Sequence, residues 1–230
     1  MKKNLLIILS VALALLAVGC KKTTEGVTNV THYVDIQLLG DNPYVSQLGG
    51  DYQEPGFTAT YMGQDYSSSV TIDTDLDTSY PGIYSVKYSA VNPDGFSNSV
   101  TRDVYVLNPG GIANIYLSRV RNASGSRDYR NIATVVSEYS PGSGIYVIDD
   151  LCGGFYYAGV YPGYEPTYNF HAKAYFTLDG DGNMMLVGAE DWYFINSFDY
   201  DNFYGTFDPD TCVFEYYFDG LYVTLTPFEL

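Results

Sequence analysis

The chain has 230 residues, with 27 acidic against 11 basic side chains and a net charge of −16. That balance excludes nucleic acid as the default partner, because phosphate binding needs clustered Lys and Arg. The two histidines, His32 and His171, leave little material for His-based metal sites or nucleophile–histidine catalysis. Aromatic residues make up 17% of the chain and tyrosine alone supplies 25 positions, too many large side chains for a disordered acidic polymer, so the protein folds.

In chain order the first element is an address. Lys2 and Lys3 precede an uncharged apolar run from Leu5 to Val18 that ends at Gly19 and Cys20. A positive start, a short apolar stretch and a small residue at the cut predict a helical signal peptide over 1–19, too short to remain as a comfortable spanning helix. The Ala17-Val18-Gly19-Cys20 ending resembles a bacterial lipobox, with Ala17 where Leu is commonest. That resemblance implies acylation at Cys20, palmitate included, and a membrane partner reached through the lipid anchor. An ordinary signal peptide cut nearby, leaving Cys20 a free thiol, is the plainer reading. Paired acyl chains suffice for stable anchoring, so an outer-membrane lipoprotein of the bacterial envelope is expected, its face unassigned. Thr23 to Val30 is small, polar and without periodicity, so residues 20–32 read as the acylated Cys and a flexible tether.

From 33 to 107 the alternation of strands recurs in short runs: Val34/Ile36/Leu38, Phe57 to Tyr61, Val70 to Ile72, Tyr84 to Ala90 and Val100 to Val106, each bounded by Gly, Pro, Asn or Asp. This predicts an antiparallel sandwich. Pro81-Gly82-Ile83-Tyr84 has the pattern of a tyrosine corner, with Val86 where an immunoglobulin domain would carry its second cysteine. The Glu54-Pro55-Gly56 string, Pro81-Gly82 and the Val91-to-Gly95 hairpin make this stretch similar to the bacterial Ig-like domains that are also appended to pesticidal crystal toxins. The resemblance implies a spacer or adhesive module with no catalytic residue.

Asn108-Pro109-Gly110-Gly111 is the expected linker. Beyond it, residues 112–230 hold 16 tyrosines and 16 acidic against 5 basic residues. Strands are predicted at 115–121, 132–137, 144–149, 155–159, 171–178, 184–188, 213–218 and 221–226, separated by hairpin strings such as DGDGN and FDPDT. No helical period is sustained, so this half reads as a Tyr-rich antiparallel barrel or curved sheet, and the whole protein as all-β. On GIYVIDDLCGGFYYAG, FTLDGDGNMMLVGAEDW and the closing LYVTLTPF, it resembles a C-terminal domain of unknown function that follows the same Ig-like module in lipoproteins of gut Bacteroidota. The implied setting is an envelope facing polysaccharide.

Candidate sites each carry a plainer alternative. Asp179, Asp181, Asn183 and Glu190 fall at places 1, 3, 5 and 12 of a calcium loop, but Met184 stands where Gly is required and the flanks read as strands, so a hairpin turn explains them and no cofactor is expected. Tyr161, Tyr164, Tyr168, Trp192 and Tyr193 sit in Gly- and Pro-punctuated loops beside Glu165 and Asp191. Rings stack on sugar faces while carboxylates accept sugar hydroxyls, so these seven are the candidate ligand-binding residues, with core packing or a protein interface as the alternative. Adjacent carboxylates such as Asp149/Asp150 and Glu190/Asp191 point to opposite faces of a strand and give no catalytic pair. Cys152 and Cys212 are either a disulfide closing a loop of about 60 residues or two free thiols.

The reading is therefore an envelope-anchored, non-catalytic lipoprotein whose C-terminal domain binds carbohydrate, held out by the Ig-like unit. The alternatives are a structural or adhesive protein that binds another surface protein and, more remotely, a glycoside hydrolase.

Overall fold

Short alternating runs end in turns carrying Gly, Pro, Asn or Asp, and a computed structural model resolves how they pair. It describes residues 31–165, 167–194 and 200–229; the signal segment 1–19 and the acylation candidate Cys20 lie outside the described residues. Residues Tyr33–Leu230 form one compact unit built around two apolar cores.

The first core lies between two sheets. One holds β1 (Asp35–Leu38), β3 (Phe57–Tyr61) and β4 (Gln64–Asp65); the other holds β2 (Tyr44–Gln47), β7 (Ser97–Leu107), β6 (Gly82–Val91) and β5 (Thr71–Thr74), in that order. Alternate residues turn inward, so that Val34, Ile36, Ala59, Val86, Tyr88, Val104 and Val106 are buried together. The tyrosine corner is formed: the Tyr84 hydroxyl donates to the Tyr80 carbonyl at 3.0 Å. One pairing departs from an all-antiparallel sandwich, because β2 runs parallel to β7. The chain leaves β1 and crosses to the second sheet, where Asn42 accepts the Asp103 N–H at 2.8 Å and donates to the Thr101 carbonyl at 3.3 Å, seating β2 along the free edge of β7.

Inside this unit Arg102 is fully buried. Its guanidinium donates to the carbonyls of Leu39 (2.7 Å), Gly56 (3.1 Å) and Asp41 and faces the Glu54 carboxylate at 3.3 Å. Tyr52 donates to the other Glu54 oxygen. Burial pushes the Glu54 carboxyl up, but the hydrogen bonds from Tyr52 and Gly56 and the Arg102 charge outweigh it and hold the group below its ordinary value. The Glu54-Pro55-Gly56 string is thus the lid of a buried polar cluster.

Residues 108–111 make an ordered turn: the Asn108 N–H donates to Asn114 Oδ1 at 2.9 Å and its side-chain amide donates to the Ala113 carbonyl at 3.1 Å. The second core fills an eight-stranded antiparallel sheet, in the order β12 (Met184–Ala189), β11 (Ala174–Leu178), β10 (Ile145–Ile148), β9 (Asp128–Glu138), β8 (Asn114–Asn122), β15 (Leu221–Pro227), β14 (Val213–Phe218), β13 (Tyr204–Asp208). Its two ends meet in an isolated Asn183–Thr206 bridge, and the Phe207 N–H donates to the Gly182 carbonyl at 2.8 Å, which nearly closes the sheet into a barrel. Near-closure leaves little open edge. Gly182 makes this approach possible, because a Cβ there would stand 2.5 Å from the Phe207 carbonyl oxygen.

Two strand expectations need correction. Residues 155–159 do not extend: Phe155–Val160 form a single π-helical turn, entered through Gly153 and Gly154, both at positive φ. The eighth barrel strand is instead β13, whose inward Gly205 hides its alternation; a Cβ there would come within 2.4 Å of the Tyr216 Cβ.

Candidate functional site

The loop that carries the candidate rings is built on one buried carboxylate. At the end of β10 the fully buried Asp150 side chain accepts the N–H groups of Cys152 (3.0 Å), Gly154 (2.6 Å) and Ala172 (3.0 Å). It thereby ties the entry and the exit of the loop together. Burial pushes its carboxyl up, opposed by those three bonds. The neighbouring Asp149 is pushed to about 7, by burial first and by the Asp150 charge as a further cause; its Oδ1 accepts the Val135 N–H at 2.9 Å. Gly154 then lets the chain pass over β9, since a Cβ on it would stand 2.4 Å from Ile132 Cγ2.

From that turn the aromatic side chains meet. Tyr161 lies parallel to the buried Phe170 ring, 4.8 Å between centroids and 15° between planes, and meets Tyr164 edge-on at 5.9 Å. Tyr168 contacts Tyr164 at 6.2 Å and Tyr193 at 5.4 Å. Tyr193 is brought there by its N–H bond to the Asn169 carbonyl at 2.9 Å. Tyr164, Tyr168 and Tyr193 are 54%, 41% and 55% exposed, an open rim around the covered Phe170. Tyr161 is half-buried at its base. Glu165 accepts the Phe170 N–H at 3.3 Å and faces His171 Nε2 at 3.1 Å, and His171 in turn stacks on Tyr157 at 4.1 Å. Asp191 is exposed.

Trp192 is the correction within this set. It is 5% exposed, packs in the barrel core and donates its indole N–H to the Tyr200 hydroxyl at 3.2 Å, so it supports the rim from beneath and offers no face to a ligand. The difference is tertiary: in the turn after β12, Trp192 is buried in the barrel core while Asp191 and Tyr193 stay exposed.

The calcium pattern is also resolved as a turn. Asp179 Oδ1 accepts the N–H groups of Asp181 (2.9 Å) and Asn183 (2.8 Å), and its Oδ2 accepts the Asn183 side-chain amide at 2.9 Å. Glu190 lies at the opposite end of the β11–β12 hairpin, paired with Lys173 at 2.7 Å and bonded by the Tyr175 hydroxyl. No group of metal-ligating side chains occurs among the described residues. The disulfide alternative is not formed. Cys152 and Cys212 are both free, Cys152 buried in the core with its thiol pushed up by burial, Cys212 in the β13–β14 turn.

A second ring cluster, on strands, was hidden in the alternation. The register sets Tyr204, Tyr217, Tyr222 and Arg121 side by side on β13, β14, β15 and β8. Tyr204 and Tyr217 are 5.2 Å apart and 14° from parallel, Tyr217 and Tyr222 are 5.0 Å apart, and the Arg121 guanidinium lies 5.8 Å from the Tyr222 centroid. These residues line an open groove of about 520 Å³ together with Glu215 and Asn183. The usable signal was Phe214, Tyr216 and Phe218 turning inward on β14, which forces Glu215 and Tyr217 outward.

Comparison with known proteins agrees with this architecture. Residues 36–106 match the family described as bacterial surface protein, Ig-like domain, and residues 108–227 match a family of C-terminal domains. Among solved structures the chain is similar to the lipoprotein BT2262 from Bacteroides thetaiotaomicron, at 27% identity and a TM-score of 0.60, over 84% of this chain and 98% of that one. It also aligns, at 15% identity and a TM-score of 0.28 over 84% of this chain and 43% of the other, with a structure of CBM51-2 in complex with GlcNAc and INT domains from Clostridium perfringens ZmpB, a likeness too weak to argue from. No curated protein matches.

Proposed function

We propose that this chain, which belongs to the family of C-terminal domains matched over 108–227 and carries a bacterial surface Ig-like domain over 36–106, is a non-catalytic envelope lipoprotein that binds carbohydrate through the rim of Tyr164, Tyr168 and Tyr193. The anchor is Cys20 in the outer membrane, and the Ig-like sandwich is the spacer. The similarity to a lipoprotein over nearly all of that protein's length supports the anchored setting. The observation that carries the binding reading is the contiguity of three exposed tyrosines from two separate loops over one covered ring. Such amphipathic rings offer apolar faces to sugar C–H groups and hydroxyls to sugar oxygens at low entropic cost. Glu165, next to Tyr164 in sequence, and Asp191, exposed two residues before Tyr193, are the carboxylates nearest these rings along the chain.

The test is a glycan array probed with the purified protein and with a Tyr164→Ala/Tyr193→Ala double variant. The reading expects a sugar signal that the double variant loses while its melting temperature holds. No signal for the unmodified protein, or a signal the double variant retains, overturns it; self-association or capture of a surface protein in place of sugar would favour an adhesive role.

A further inference from the structure

The groove on β13, β14, β15 and β8 is a separate surface from the loop rim, and its chemistry is different. Residues 112–230 carry five basic side chains, and four of them, Arg119, Arg121, Arg127 and Arg130, fall on the β8–β9 hairpin. In a segment with 16 acidic residues, that is a concentration of nearly all available positive charge beside one row of rings. The arginines are not equivalent. Arg119 and Arg130 both grip the Asp128 carboxylate, each at 2.8 Å, and hold it below its ordinary range. Arg121 forms no ion pair among the described residues; it is exposed and lies against the Tyr222 ring.

The register sets the dimensions. Neighbouring strands lie about 4.8 Å apart, so the row from Tyr204 on β13 to Arg121 on β8 crosses about 14 Å, the length of a short oligosaccharide. The groove offers phenol rings along its floor, a guanidinium at one end, and the Glu215 carboxylate and the Asn183 amide as further hydrogen-bonding groups. Tyr204, on the last strand of the sheet, is 61% exposed. A planar, unpaired guanidinium beside rings that fit a sugar body is suited to a carboxylate borne on that sugar, which it can bind through two parallel N–H donors. The strand framework holds these groups in fixed register, so little ordering is required on binding.

The geometry points to a second binding site in this groove, for a carboxylate-bearing oligosaccharide of the uronate class, with Arg121 as the carboxylate anchor and Tyr204, Tyr217 and Tyr222 as the sugar platform. This inference does not depend on the loop rim, and its experiment keeps the two apart. Titration calorimetry compares an oligogalacturonide with a neutral galacto-oligosaccharide of equal length, using the protein, its Tyr164→Ala/Tyr193→Ala variant, and Arg121→Gln. The site predicts tighter binding of the charged sugar, unchanged in the double tyrosine variant, weakened about tenfold by Arg121→Gln as one charge-assisted pair is lost, and reduced by added salt. The Arg121 side chain is exposed, so its replacement leaves the fold intact, checked by the melting temperature. Tyr217→Ala weakens both sugars, because it removes platform and not charge. Equal affinity for the two sugars, no binding of the charged one, or charged-sugar binding indifferent to Arg121→Gln overturns the proposal. Loss of charged-sugar binding in the double tyrosine variant would also overturn it, by placing that ligand on the loop rim.

Discussion

The Asp150 carboxylate accepts the Gly154 N–H at 2.6 Å, and this contact turns the chain out of β10 and into the loop that carries the tyrosine rim. The same carboxylate holds the returning strand through Ala172. A buried carboxyl side chain is tolerated there because three backbone donors replace its water.

Gly154→Ala tests that turn. The residue sits at φ +82° and a Cβ would press on Ile132 Cγ2 at 2.4 Å, so both backbone and packing resist the change. A loss of about 2–4 kcal/mol is expected, read as a lower urea midpoint. A midpoint equal to that of the unmodified protein would show that the turn adapts freely.

Asp149 makes stability depend on pH. Its folded pKa, about 7, lies above the ordinary 3.8, so the folded state binds the proton more tightly than the unfolded one. Stability therefore declines as pH rises from about 4 to 7, and the penalty is complete above the folded value. Asp149→Asn keeps an acceptor for the Val135 N–H and removes the charge. The melting temperature of this variant should exceed that of the unmodified protein at pH 8, and the gain should shrink at pH 5. A gain of the same size at both pH values would contradict the assignment.

Trp192→Ala separates support from contact. The ring is buried in the barrel core, so its removal should cost about 3–5 kcal/mol and lower the denaturation midpoint. Tyr193→Ala, one residue on, removes a side chain that is 55% exposed and should change the midpoint little while weakening sugar binding. The reverse ranking of the two midpoints would refute the burial assignment.

In the Ig-like sandwich, Arg102→Ala leaves the Glu54 carboxylate and three carbonyls without their buried donor. A loss of about 1–3 kcal/mol is expected from the carbonyls left without their donor, the Glu54 side chain being itself 30% exposed. Glu54→Gln keeps an acceptor and should cost less. Equal losses in chemical denaturation would mean that charge alone matters there.

Much of the strand framework could be read from alternation, because period-two burial leaves a direct imprint on β1, β3, β6, β7 and β14. What escaped did so for identifiable reasons. β13 alternates around Gly205, whose inward position is a demand of Tyr216 on the next strand and leaves no apolar mark. Phe155–Val160 looks like a strand by composition, and the buried Asp150 that caps its turn is a tertiary fact. The loop rings were legible as a group since Gly and Pro set them outside strands, yet Trp192 could not be told from Tyr193 without knowing which side faced the core. The Tyr204–Tyr217–Tyr222 row depends on register across three strands, which no single segment encodes.

The most direct test of sugar recognition at the rim is an NMR titration of the tyrosine-labelled protein with the strongest sugar found on the array. The account predicts that the ring resonances of Tyr164, Tyr168 and Tyr193 shift together along one saturating curve. A saturating titration that leaves those three rings unmoved would contradict it.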